Sequence, residues 1–211
     1  MKANKKEAIA KFHRENIIQA AEQLFMEKGI DSTTVDEIAK ASDYSKATLY
    51  VYFKNKDEIV SSITLSGMKQ FHETIQKAIT PGETFQEKYF AVCYSITDFQ
   101  KQYPLYFESI LKEINVDIEL EETPQVYRDI YEAREAINRE FYILFQLGME
   151  QGSLRKDLNV LKTVFLFWAS ISGIIRIADQ KEKYLIKSVG TSKQEFLQFG
   201  FETLLKSIEI N

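Results

Sequence analysis

Residues 33–56 read TTVDEIAKASDYSKATLYVYFKNK, and the spacing of their capping, apolar and basic residues decides the fold. Thr34-Val35-Asp36-Glu37 has the form of a capping box, in which the Thr hydroxyl accepts from the Glu amide and the Glu carboxylate reaches back. It predicts a short helix with Val35, Ile38 and Ala39 inward. Ala41-Ser42-Asp43-Tyr44 then reads as a turn, and Ser45 as the N-cap of a second short helix from Lys46 to Phe53. Leu49 and Phe53 are four apart and anchor that helix. Two short helices across a tight turn are the layout of a helix-turn-helix. Asn55-Lys56-Asp57-Glu58 repeats the capping pattern and opens a long helix.

The chemistry on the second short helix suits DNA. Its N-terminal end carries Ser45, Lys46, Ala47 and Thr48, which are small or polar. Lys46 can reach a base edge or a phosphate, and Thr48 can hydrogen-bond either or touch a thymine methyl. Tyr50 and Tyr52 bring hydroxyls suited to phosphate oxygens. Packing against the first helix competes with that role at Tyr50 more than at Tyr52. Lys54 and Lys56 follow where a DNA backbone would pass. Thr33 and Thr34, with backbone amides at a helix start, form a second candidate phosphate clamp.

Working outward, Ile9, Phe12, Ile17, Ala20, Ala21, Leu24 and Phe25 recur at three- and four-residue spacing and predict one amphipathic helix from Lys5 to Lys28. Gly29 stops it with a positive φ. The long helix from Lys56 ends before Pro81-Gly82. Beyond it the pattern predicts five or six more helices: one over 84–102, one opened by Pro104, a long one over 125–150 ending at Gly152, a very apolar one over 158–179, and a last one capped by Ser192-Lys193-Gln194-Glu195. Glu119 to Pro124 is an acidic break. No alternating pattern of useful length predicts a strand, so the fold class expected is all-α.

Composition agrees. Eight Gly and three Pro in 211 residues are little punctuation. The net charge is −4, yet Lys2, Lys5, Lys6, Lys11 and Arg14 face a single acid over residues 1–14, and Lys40, Lys46, Lys54 and Lys56 a single acid over 40–56. Basic charge therefore collects where a DNA-docking face is expected. The lone cysteine, Cys93, permits no internal disulfide and reads as a small core residue, which fits a reducing cytoplasm. The N-terminus has no apolar run of signal-peptide length. Val164 to Ile177, interrupted by Trp168, Ser170, Ser172 and Arg176, is expected to be too short and polar to span a membrane. Two histidines, His13 and His72, stand in no metal-spaced cluster, and neither a Gly-rich phosphate loop nor a nucleophile elbow occurs. No enzymatic activity, metal or cofactor is expected.

The stretches IIQAAEQLFMEKG (17–29), TTVDEIAKAS (33–42) and SKATLYVYFKNKDEIV (45–60) resemble the DNA-binding domain of the tetracycline-repressor-like (TetR) family. The family pattern is helix, Gly, Thr-Thr, Ile-Ala, turn, then Leu-Tyr-x-x-Phe with Lys soon after. LGMEQGSLRKDL (147–158) is similar to the family's link into its dimerisation helices. One position departs: where the family often has a turn Gly, this chain has Asp43, a residue that tolerates left-handed backbone. The resemblance implies a three-helix head over 1–55 and an antiparallel helical domain over 56–211 that binds an effector and dimerises. It also implies a repressor bound to a pseudo-palindromic double-stranded operator and released by a small molecule. An activator, or a regulator answering a protein partner, is the alternative that sequence does not separate. The same resemblance places Thr34, Lys46, Thr48, Tyr50, Tyr52 and Lys56 at positions that commonly contact DNA.

An effector needs an enclosed cavity. Phe71, Phe90, Tyr94, Tyr103, Phe107, Tyr127, Phe141, Phe145, Phe165 and Trp168 are the aromatic candidates to line one, suited to a planar, lipophilic or cationic ligand. For each, plain core packing is the competing role. The helices over 158–179 and beyond Ser192 are apolar over broad faces. Phe165, Trp168, Ile171, Ile175, Phe196, Phe199, Gly200 and Leu204 are the candidate homodimer surface, with a buried monomer core as the other reading. Arg176 can answer a carboxylate, cap its helix or pair across a dimer.

Overall fold

A computed structural model of the chain describes residues 2–112 and 116–210, with side chains from residue 6 onward. Lys2 and Lys5, part of the basic N-terminal run, thus have side chains outside the described residues. The protein is 77% helical, and among the described residues there is no strand, only an isolated bridge between Leu154 and Glu209. Helices run α1 (Lys2–Lys28), α2 (Val35–Ala41), α3 (Lys46–Tyr52), α4 (Lys56–Ile79), α5 (Phe85–Gln102), α6 (Pro104–Leu111), α7 (Gln125–Glu150), α8 (Val160–Gln180), α9 (Glu182–Tyr184), a π turn (Leu185–Val189) and α10 (Lys193–Lys206). They group into two units: residues up to Gln70 with Tyr103–Ala133, and Phe71–Gln102 with Arg134 onward. The division falls inside α4 and α7.

In the first unit, Ile17, Ala21 and Phe25 of α1 meet Ile38 and Ala39 of α2, Leu49 of α3, Phe53, and Ile59 and Ile63 of α4. Each large apolar side chain buried there contributes about 1.5–3 kcal/mol. The apolar stripe of α1 begins at Ile17: Ile9 and Phe12, which the periodicity placed on the same face, are 48% and 58% exposed. Phe12 is five residues before Ile17, so about 140° round the helix from it, and Ile9 lies a full turn before His13, whose ring meets Tyr52 of α3. The caps form as the sequence predicts. The Glu37 amide donates to the Thr34 hydroxyl at 3.3 Å, and the Thr34 amide donates to the Glu37 carboxylate at 2.8 Å. The Glu58 amide donates to Asn55 Oδ1 at 2.9 Å. Asp43 has φ +59, so it carries the left-handed turn that glycine supplies elsewhere. α6 lies close to α4, where Gly67 leaves room for the Tyr106 side chain: a Cβ at 67 would sit 2.9 Å from Tyr106 Cβ. The Tyr106 hydroxyl donates to Glu22 Oε1 of α1 at 2.8 Å.

The second unit has an aromatic core. The Phe71 ring lies 5.1 Å from that of Phe99 and 5.3 Å from that of Trp168, and Phe141, Phe145 and Tyr89 surround Phe167 at 5.4–5.6 Å. The buried Tyr89 hydroxyl is satisfied by the Phe201 carbonyl at 2.9 Å. α8 is long and apolar enough to cross a membrane by length and composition, with mean hydropathy 1.6. The helix extends beyond the 164–177 stretch read from sequence, so the expectation that it is too short does not hold. Val164, Phe167, Ile171, Ile175 and Ala178 pack inside the unit, while Leu161, Phe165, Leu166 and Ile177 are exposed.

Candidate nucleic-acid interface

α2 and α3 form the helix-turn-helix. α3 is held from beneath: Leu49 and Phe53 are buried, and the Arg14 guanidinium lies 4.0 Å over the Phe53 ring. Arg14 also donates to the Tyr52 carbonyl and pairs with Glu58 at 3.3 Å. With one side of α3 fixed, Ser45, Lys46, Ala47, Tyr50, Val51 and Lys54 are exposed together.

The proposed DNA contacts separate by what their side chains already do. Lys46 is exposed and its ammonium sits on Asp36, 2.9 Å from Oδ1 and 3.0 Å from Oδ2. This hydrogen bond, with the attraction of the same carboxylate, raises the Lys46 pKa and holds it charged. Asp36 lies ten residues earlier, and nothing in the linear pattern pairs the two. Ser45 accepts from the Thr48 amide at 3.0 Å, and the two hydroxyls share a 2.8 Å hydrogen bond, so Thr48 is turned toward its cap. Thr34 is exposed but its hydroxyl donates to Glu37, 2.8 Å away. Glu37 also takes the Lys28 ammonium, the largest of the causes that lower its pKa to about 2.

Two residues are engaged inside the head. Thr33 is 1% exposed and its hydroxyl donates to the Gly29 carbonyl at 2.8 Å. The Lys56 ammonium donates to the carbonyls of Ile30 and Thr33, both at 3.0 Å, which ties the α1–α2 loop to the start of α4. The tyrosines exchange the places the sequence suggested. Tyr50 is 47% exposed, whereas Tyr52 is half-buried with its ring 5.2 Å from His13. His13 in turn shares a 2.6 Å hydrogen bond with the Tyr44 hydroxyl in the turn. Val51, which sequence reading passed over because an apolar residue reads as core, is 76% exposed.

The effector candidates divide between the two units. Tyr103, Phe107 and Tyr127 lie in the first unit, the rest in the second. Phe71, Phe107, Phe141 and Phe145 are buried core side chains, Phe90 and Trp168 half-buried, and Tyr94 and Phe165 exposed. Of the dimer candidates, Ile171 and Ile175 are buried within the chain, because they lie on the α8 face that packs inward. Phe199 is 67% exposed and, with Ile174, Phe196, Gly200 and Leu204, lines an apolar groove between α8 and α10. Gly200 permits the close approach, since a Cβ there would lie 2.9 Å from Ile174 Cγ2. Among the described residues no group of His, Cys, Asp or Glu gathers that could hold a metal ion.

A three-helix head with an anchored second helix and lysines on its outer face defines a DNA-binding helix-turn-helix protein. Residues 17–63 match the family described as bacterial regulatory proteins, tetR family. The chain is 32% identical over 89 residues to the uncharacterized HTH-type transcriptional regulator YhgD of Bacillus subtilis, a match spanning 42% of this chain and 47% of that protein. It is 24% identical over 190 residues to the fatty acid metabolism regulator protein of the same organism, covering 87% and 93% of the two chains. The structure of the fatty acid degradation regulator FadR from Bacillus halodurans is similar in fold, with TM-score 0.66 at 18% identity, over 91% of this chain and 94% of that one. Residues 17–63 are thus a DNA-binding domain of the tetR family of bacterial regulatory proteins, and over most of its length the chain is similar to DNA-binding transcriptional regulators.

Proposed function

We propose that this chain is a repressor that binds a pseudo-palindromic DNA operator as a homodimer and leaves it when a small apolar effector binds. The observation that carries the proposal is that α3 has one side buried at Leu49 and held by its C-cap Phe53, and an outer side exposed at Lys46, Ala47, Tyr50 and Val51, with the exposed Lys54 just past its end. In this reading residues 1–55 are the DNA-reading head and residues 56–211 hold the effector and the partner. Lys46 leaves Asp36 for a base edge or phosphate, Ser45, Ala47 and Thr48 line the groove, and Tyr50 and Lys54 hold the backbone. The dimer forms through α8 and α10, whose exposed Phe165 and Phe199 and the groove beside Gly200 support that surface.

Aromatic side chains of the second unit, Phe71, Phe90, Phe141, Phe145 and Trp168, supply surroundings for an apolar effector. Two of the similar proteins are named for fatty acid metabolism or degradation, which favours a fatty acyl compound as the first class to try. The test is binding to duplex DNA from the chain's own upstream region as salt is varied. Lys46→Ala should relax sequence preference, whereas Lys54→Ala should weaken all duplexes alike and lower the salt slope by about 0.9. Equal effects of both changes on every sequence would refute the division of roles. Sedimentation should give a dimer that Phe199→Glu dissociates, and fatty acyl compounds that raise the melting temperature should release the DNA.

A further inference from the structure

Among the described residues Val51 is the most exposed of the large apolar side chains, at 76%. It stands on a seven-residue helix whose other large aliphatic side chain, Leu49, is fully buried. At 3.6 residues per turn, Ala47 and Val51 flank the direction opposite Leu49. They are therefore a two-residue apolar ridge along the outermost line of α3. The exposed Lys46 stands next to its first residue, Tyr50 between the two, and the exposed Lys54 three positions beyond Val51.

An apolar ridge in a cationic frame needs a partner that is anionic at its edges and apolar in its middle. The major groove has phosphates along both rims, and one apolar group on its floor, the 5-methyl of thymine. Valine has neither donor nor acceptor. Against guanine O6 and N7, or the cytosine amino group, it would strip water from a polar edge and return no hydrogen bond. Thr48, the other side chain suited to a methyl, has its hydroxyl on Ser45. We infer that Val51, with Ala47 beside it, selects T·A pairs in the operator by contact with the thymine methyl. This rests on the reading of α3 as the helix that enters the groove.

The full chain would select from a duplex pool with a randomised core of about two helical turns. The enriched duplex is then remade with deoxyuridine replacing one thymine at a time, which removes the methyl and keeps every hydrogen-bonding group. At one or two positions per half-site the replacement should weaken the wild-type chain about fourfold, the effect of one buried methyl. Val51→Ala should bind the thymine and uracil duplexes alike. Val51→Ser, which removes both methyls, should lose the discrimination as fully as Val51→Ala; melting curves matching wild type identify both variants as folded. The same thymine dependence in Val51→Ala as in wild type, or no methyl dependence at any position, would overturn the assignment of Val51 alone. Failure to enrich any duplex would overturn the reading of α3 with it.

Discussion

Replacing Lys56 by Met keeps the aliphatic stem and removes the ammonium, so it asks whether this lysine serves the fold or the DNA. The ammonium donates to the Ile30 and Thr33 carbonyls, both at 3.0 Å. The Ile30 carbonyl keeps another donor, the Thr33 amide at 3.2 Å. The Thr33 carbonyl belongs to a residue that is 1% exposed. A hydrogen bond from a charged donor contributes about 1.5–3 kcal/mol, and a carbonyl that can partly rehydrate loses less. Together the two should cost roughly 2–3 kcal/mol, which for a chain of this length lowers the melting temperature by roughly 4–12 °C. Lys54→Ala is the comparison. Lys54 is exposed, so its removal should change stability by less than about 0.5 kcal/mol while lowering the salt slope of DNA binding by about 0.9. Differential scanning calorimetry and salt-titrated anisotropy, the latter well below either melting transition, separate the two quantities. A Lys56→Met protein that melts with wild type and loses a full phosphate contact would refute the structural role.

Asp36→Asn should raise affinity for all duplexes at low salt, because the carboxylate that holds Lys46 in the free protein also faces the phosphates; unchanged affinity in an anisotropy titration would show that the pair does not compete with DNA. Burial raises the Glu22 carboxyl pKa above its ordinary 4.5, and the hydrogen bond from Tyr106 only partly offsets this. The folded chain therefore holds this proton more tightly than the unfolded one. The resulting stability is fully present below about pH 4.5 and is lost as pH rises past the raised value. Relative to Glu22→Gln, wild type should gain melting temperature as pH falls from 7 to about 4.5; parallel melting curves at both pH values would contradict the assignment. Gly148→Ala would put a Cβ 2.7 Å from Leu154 Cδ1 and 2.8 Å from Phe85 Cδ2, both fully buried, so overpacking of about 1–3 kcal/mol should outweigh the helix-propensity gain of about 1 kcal/mol. A melting temperature equal to or above wild type would refute that.

The sequence by itself determined the helix-turn-helix and its ends. Capping at Thr34, Ser45 and Asn55 acts between residues three apart, and the anchoring of Leu49 and Phe53 follows from a four-residue period, so both are written locally. The left-handed turn at Asp43 is local too. What each polar side chain does with its hydrogen bonds was decided only in three dimensions. Lys56 reaches carbonyls 23 and 26 residues away, Lys46 meets Asp36 ten residues back, and Arg14 crosses 44 residues to Glu58. The same holds for burial. Ile9 stands two turns before the buried Ile17 on one helix yet is exposed, and Ile171 and Phe165 lie on one apolar helix but on opposite sides of the packing line. Periodicity says which residues share a face. Whether that face meets core or solvent depends on the neighbouring elements, and these are distant in the chain.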